Sequence, residues 1–284
     1  MTSTDGRERR TILSVTGGTV SYLGVKALAG VDLAAHAGEI VGVIGPNGAG
    51  KSTLVNLIAG VARGGGDVVL NGHNLRGRDP QTRTRAGIVR TFQTPELFGT
   101  LTAAQNVDLA ARSFLLYRAG RDEPRSGRRA RWRRSAGLAR EALATVGLEH
   151  RAGARAESMS GGEKKLVELA RALVQQPVVL ILDEPVAGLP VAARQRTIAT
   201  LRDLIHGSDA TCILIEHDMD VIRRACDRIY VLSRGAVIKE GTWEQTSQDE
   251  AVRRAYLGSS PHQEADDADT ITTTNSVERR AIPK

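Results

Sequence analysis

The chain has 284 residues, 41% hydrophobic and 25% charged, with a formal net charge of +7. That length and balance suit a globular protein with a sizeable core, and exclude fibrous and low-complexity classes. No run reaches the roughly 18 apolar residues of a membrane-spanning helix, and two cysteines, Cys212 and Cys226, are too few for a disulfide framework or a cysteine metal cluster.

In chain order, MTSTDGRERR at 1–10 is polar and lacks a signal-peptide apolar stretch, so a cytoplasmic location is expected. Residues 1–11 and the aperiodic tail 259–284 are expected to be disordered. ILSV at 12–15, GTVSY at 18–22 and the returning stretch 26–39 predict early strands. EIVGVIG at 39–45 predicts a buried strand, and KSTLVNLIAG at 51–60 a helix stopping at Gly60. GDVVLNG at 66–72 and GIVRTF at 87–92 predict further strands. Helices follow at 101–114 and 138–147, joined by a basic block, RSGRRARWRR at 125–134, and another begins after Ser160. VVLILD at 178–183, a helix over 193–207, TCILIEH at 211–217, a helix over 219–226 and a hairpin over 229–241 complete the pattern.

The strands EIVGVI, VVLILD and TCILIE are continuously apolar, as in a sheet covered on both faces. Strand–helix alternation therefore predicts an α/β core with an antiparallel edge from the ends of the chain, interrupted by a mostly helical insert at about 97–169. The basic block is either a solvated face or a contact for anionic lipid headgroups or an acidic partner. Nucleic acid is not expected, because Trp132 is the block's one aromatic and offers no stacking platform.

Three strand ends carry chemistry. GPNGAGKS, with Gly45, Asn47, Gly48, Gly50, Lys51, Ser52 and the following Thr53, lies between a strand and a helix, the context that a phosphate-binding loop requires. Its backbone N–H groups would curl around a β-phosphate, Lys51 would reach the β- and γ-phosphates, and Ser52 would hold Mg²⁺. VVLILD ends at Asp183, placed to act on Mg²⁺, and at Glu184, placed to polarise an attacking water. TCILIEH ends at His217, a candidate partner for the γ-phosphate; a lone histidine would otherwise be structural. Gln93 is a candidate Mg²⁺ or water ligand, or merely a polar strand-end residue. A second anion signal stands far along the chain. Ser160 to Glu163 fits a capping box, which explains those two residues but not the intervening Gly161 and Gly162.

With these motifs assembled, the chain resembles the ATP-binding subunit of an ABC transporter from about residue 12 to 258. The resemblance rests on the phosphate loop, the Gln93 loop, MSGGE at 159–163, LDEP at 182–185 and His217. It implies a P-loop NTPase core of the ABC type, with an antiparallel β subdomain and an inserted α-helical subdomain. In this family two ATPase subunits pack head to tail, so Ser160, Gly161 and Gly162 would face the partner's γ-phosphate. Tyr22 resembles the aromatic that stacks on adenine, although a lone aromatic could equally be core. Glu163 and Met159 replace the usual Gln and Leu of the signature, and Pro190 stands where many relatives carry an aspartate.

VRTFQTPELF, LTAAQNV, LDEPVAGL, LIEHDM and RAYLG resemble the larger ATPase of branched-chain amino acid importers. That resemblance implies ATP and Mg²⁺ as cofactors, and a peripheral place on the cytoplasmic face of the membrane. Its implied partners are a second ABC ATPase subunit, two transmembrane permease subunits and an extracytoplasmic solute-binding protein. The alternatives are another ABC transporter ATPase (urea or amide import, or lipid or solute export) and a soluble ABC ATPase acting on ribosomes or nucleic acid. One copy of each motif and no sustained heptad run disfavour the last.

Overall fold

The computed structural model describes residues 10–119 and 127–257. The tail 259–284, most of 1–11 and part of the basic block lie outside the described residues. Strand β1 (Thr11–Tyr22) turns back into β2 (Val25–His36), with Tyr22 opposite Val25. The turn is made by Leu23 and Gly24, both at positive φ, the geometry that matches the twist of a two-residue hairpin. Strand β3 (Ile40–Ile44) is buried throughout and leads through a loop into helix α1 (Lys51–Ala59), closed by Gly60 in the left-handed conformation. Strand β4 (Gly65–Leu70) pairs with β1 and with a short β5 (His73–Asn74). Helix α2 (Pro80–Arg85) follows, capped by Asp79 with proline in its first turn. Neither β5 nor α2 was anticipated from the sequence, both being too short to show a period.

Strand β6 (Ile88–Arg90) returns to the core, and the chain then leaves it for helices α3 (Ala103–Ala119), α4 (Gly127–Thr145) and α5 (Gly161–Leu173). Helix α3 packs on both α4 and α5. The basic block, expected to join two helices, is itself helical from Gly127 onward. Asn106, buried, accepts from Phe98 N–H and donates to the carbonyls of Phe98 and Thr102, tying down the entry to α3. Strand β7 (Val179–Asp183), helix α6 (Val191–His206), strand β8 (Thr211–Ile215) and helix α7 (Met219–Ala225) restore the alternation. Strands β9 (Arg228–Ser233) and β10 (Ala236–Gly241) form a hairpin, and helices α8 (Trp243–Ser247) and α9 (Glu250–Leu257) end the described chain. The last two helices were not expected.

Two sheets result, an antiparallel one ordered β2-β1-β4-β5 and a six-stranded one ordered β10-β9-β3-β8-β7-β6. All neighbours in the larger sheet are parallel except β10 with β9. The C-terminal hairpin alone therefore supplies its antiparallel edge, while the N-terminal strands form a sheet of their own. Alternate residues of the buried strands serve separate cores, as the period of two demands. Ile40, Ile44, Leu180 and Leu182 join the helices α3 to α7, whereas Val41, Val43, Val179 and Ile181 face α1 and the antiparallel sheet. Burial on both faces explains why these strands read as unbroken apolar runs.

One buried cation clamps the end of α1. Arg83 donates to the carbonyls of Leu57, Ile58, Leu75 and Arg78. Replacing Arg83 by Ala leaves those acceptors without their donor and should cost about 3 kcal/mol, read as a lowered urea midpoint. An unchanged midpoint would show that water replaces the guanidinium.

Candidate functional site

The carboxyl ends of β3, β7 and β8 open onto a cavity of about 300 Å³. Its lining includes Asn47, Gly48, Gly50, Lys51, Ser52, Thr53, Gln93, Asp183, Glu184 and His217, from four separate stretches of the sequence. The loop after β3 needs its glycines. A Cβ on Gly45 (φ 154) would lie 2.2 Å from the Leu232 carbonyl oxygen, and one on Gly50 (φ 105) 2.7 Å from that of Ala27. Gly48 (φ 76) faces open space, so its requirement is conformational. Lys51 is buried, and its amine donates to the carbonyls of Gly45 (2.7 Å) and Pro46 (3.0 Å). Burial lowers its pKa, opposed by the carboxylates of Asp183 and Glu184.

Asp183, at the end of β7, donates its N–H to the hydroxyl of Thr91 (3.2 Å), the residue that follows the neighbouring strand β6. Burial raises its carboxyl above the usual range, and the adjacent Glu184 carboxylate adds to the rise. Glu184 takes a left-handed backbone conformation, φ 49, that few residues with a side chain adopt. Two bonds hold it there: its N–H donates to Ile215 O (2.9 Å), and Lys165 Nζ donates to its carbonyl (2.7 Å). Its side chain meets two others at one oxygen. Gln93 Nε2 lies 3.1 Å and His217 Nε2 3.3 Å from Glu184 Oε1. Ser52, Asp183 and Gln93 offer only oxygen donors of the hard kind that Mg²⁺ prefers, together with ligand phosphates, so the residues fit that ion. Among the described residues no group of three or more His, Cys, Asp or Glu forms a metal cage.

The remaining candidates lie elsewhere. Tyr22 sits half-exposed at the tip of the β1–β2 hairpin and does not line the phosphate cavity; Ala27 of β2 does. Ser160 and Glu163 form the expected capping box on α5, with each side chain on the other's backbone N–H. Ser160 and Gly162 line a different cavity of about 580 Å³, between α4, α5 and α6. The two glycines have different causes: a Cβ on Gly162 would meet Leu189 at 2.8 Å, whereas one on Gly161 would meet open space. Sequence reasoning missed Lys165, Thr91 and Glu168, whose carboxylate accepts from Phe92 N–H at the exit of β6. None of them lies in a recognisable motif; their roles come from proximity in the fold.

A glycine-cradled lysine beside strand-end carboxylates, under a doubly covered parallel sheet, defines a P-loop nucleotide hydrolase. The comparisons narrow the class. The ABC transporter family model matches residues 28–187, and the chain belongs to that family as an ATP-hydrolysing, ATP-binding subunit. It is 38% identical over 253 residues to the high-affinity branched-chain amino acid transport ATP-binding protein LivG of Escherichia coli, covering 87% of this chain and 98% of that protein. It superposes on a nucleotide-free ATP-binding cassette from an ABC transporter with TM-score 0.74 and 28% identity, covering 87% and 98% of the two chains. A dimeric cassette in a post-hydrolysis state, bound to ADP and Pi, matches with TM-score 0.71 and 27% identity over 82% and 99%.

Because burial raises the Asp183 carboxyl above the usual carboxylate range, folding disfavours its ionised form. That penalty is present above the folded pKa and disappears below the unfolded one. Asp183→Asn should therefore raise the melting temperature of the nucleotide-free protein at neutral pH, by about 2–4 °C for each kcal/mol relieved. The gain should fade as pH falls towards 3.8 in a thermal-shift series. An equal gain at all pH values would refute the charge penalty.

Proposed function

We propose that this chain is one nucleotide-binding subunit of an importer for branched-chain amino acids. The convergence of Gln93 and His217 on the Glu184 carboxylate, beside Lys51, carries the catalytic part of the proposal. The likeness to LivG over 98% of its length supports the solute class.

Glu184 accepts a proton from the attacking water, whose oxygen bonds to the γ-phosphorus as the bond to the β–γ bridging oxygen breaks, leaving ADP and phosphate. Lys51 turns from the carbonyls of Gly45 and Pro46 to the β- and γ-oxygens, and His217 steadies the γ-phosphate and Glu184 together. Ser52, Gln93 and Asp183 would hold Mg²⁺, which would supply neutralisation of the charge that develops on the phosphate oxygens. Gly45, Asn47, Gly48, Gly50 and Thr53 cradle the phosphates, and Tyr22 stacks on the adenine from the β1–β2 hairpin.

Ser160, Gly161 and Gly162 complete the site of a second ATPase subunit. Within one chain Ser160 and Gly162 open on a cavity separate from the phosphate loop, and the matching dimeric cassette supports pairing. The ATP-binding domain spans 12–258 with its helical subdomain at about 97–169. Its assembly comprises a second ATPase, two permease subunits and an extracytoplasmic binding protein, with this chain peripheral on the cytoplasmic face. No helix among the described residues is long and apolar enough to cross a membrane.

Lys51→Ala should weaken ATP binding roughly 10- to 100-fold, the loss of charge-assisted bonds to phosphate; unchanged affinity in calorimetry would remove Lys51 from the phosphate site. Glu184→Gln should retain ATP affinity, slow turnover at least ~100-fold and accumulate an ATP-held dimer. Purified from native membranes in Mg-ATP, that variant should carry two multi-span permeases and a second ATPase. Recovery of ribosomes or nucleic acid instead would leave the hydrolase standing and overturn the importer.

A further inference from the structure

Apart from the nucleotide site, one face of the helical insert combines two features that seldom occur together by accident. Leu116, Tyr117 and Trp132 are 57%, 47% and 51% exposed at the junction of α3 and α4, in a chain with only two tryptophans and four tyrosines. The sequence around them is strongly basic. Positions 112–140 carry ten arginines, no lysine and two acids, Asp122 and Glu123.

The face is built rather than loose. Asp108 of α3 accepts from the Ser135 hydroxyl of α4 (2.6 Å) and pairs with Arg112, which fixes the two helices in register. Arg112 then stacks on Trp132 at 5.1 Å, and Arg85 of α2 on Tyr117 at 4.8 Å, whose hydroxyl also meets Gln81. Each exposed ring is thereby held at the surface with a guanidinium against it. Arg85, Arg133 and Arg134 are themselves exposed. None of these residues lines the phosphate cavity.

We propose that this α2–α3–α4 face docks on the surface of an anionic bilayer, with Trp132, Tyr117 and Leu116 in the headgroup layer and Arg85, Arg133 and Arg134 on lipid phosphates. Amphipathic rings and arginine stems are the side chains that settle at that boundary, where one end is apolar and the other wet. An acidic protein would satisfy the arginines alone; an anionic bilayer offers phosphate with an apolar layer beneath it. The contact draws on neither the transported solute nor the assignment of Glu184, so it stands or falls separately from them.

The test is flotation of the full-length chain with vesicles of phosphatidylcholine alone or mixed with phosphatidylglycerol. Binding is expected only with phosphatidylglycerol present, weakening as salt rises. Arg133→Ala with Arg134→Ala should lower it about 25-fold, roughly fivefold for each arginine near an anionic surface, while the rate of ATP hydrolysis stays unchanged and certifies the fold. In a Trp243→Phe background, Trp132 emission should shift to shorter wavelength on binding. Equal binding to neutral vesicles, or undiminished binding by the double variant, would overturn the proposal. Tight binding of polyglutamate with Trp132 emission unshifted would assign the face to an acidic protein and overturn it too.

Discussion

The left-handed backbone of Glu184 is the constraint on which the site depends. A side chain in that conformation costs about 1–2 kcal/mol, and the chain adopts it because two neighbours offset the cost. Ile215 O takes the N–H, which ties the residue to the parallel partner of β7; Lys165 Nζ takes the carbonyl, which ties it to α5. A charge-assisted bond of this kind contributes roughly 1.5–3 kcal/mol, enough to hold the turn. The result is a carboxylate delivered between Gln93 and His217, rather than continued along the strand. Lys165 lies two residues beyond the capping Glu163, so the start of α5 also fixes the backbone of Glu184.

The capping box on α5 settles how a helix start can be both self-satisfied and receptive. Ser160 N–H goes to the Glu163 carboxylate, Glu163 N–H to the Ser160 hydroxyl, and Lys164 N–H to the Ser160 carbonyl. The amides of Gly161 and Gly162 are what such a start leaves for an anion. Arg151, bonded to Glu163, helps to hold that carboxylate ionised and the cap closed.

Much of this was legible in the sequence, for identifiable reasons. Unbroken apolar runs signal strands buried on both faces, and glycine spacing signals a loop that must approach phosphate, so β3, β7, β8 and α1 could be placed from residues alone. Short elements could not: α2 and β5 are stabilised by Asp79 and by pairing with β4, not by any period. The start of α4 was hidden because GRRARWRR has no apolar stripe, although arginine is a good helix former; the packing of Ala139, Ala142 and Leu143 anchors the rest of the helix. Thr91, Lys165 and Glu168 were invisible for another reason, since each acts on a residue far away in sequence. The separation of Tyr22 from the phosphate cavity follows from the hairpin, whose tip extends past Ala27, and spacing along the chain does not report it.

The same charges that make the site useful are costly to hold together in the folded chain. Asp183 and Glu184 are adjacent carboxylates in a partly dry cavity, and Lys51 is an amine whose burial disfavours its charge. Lys51 meanwhile rests on carbonyls of its own loop, bonds it can exchange for phosphate oxygens with little rearrangement. Arg90, His217 and Lys165 offset part of the charge of Asp183, and of these three His217 lines the cavity. Positive charge delivered with a nucleotide would relieve the repulsion further, and phosphate would relieve Lys51. Ligand binding therefore gains from a penalty already present in the folded chain.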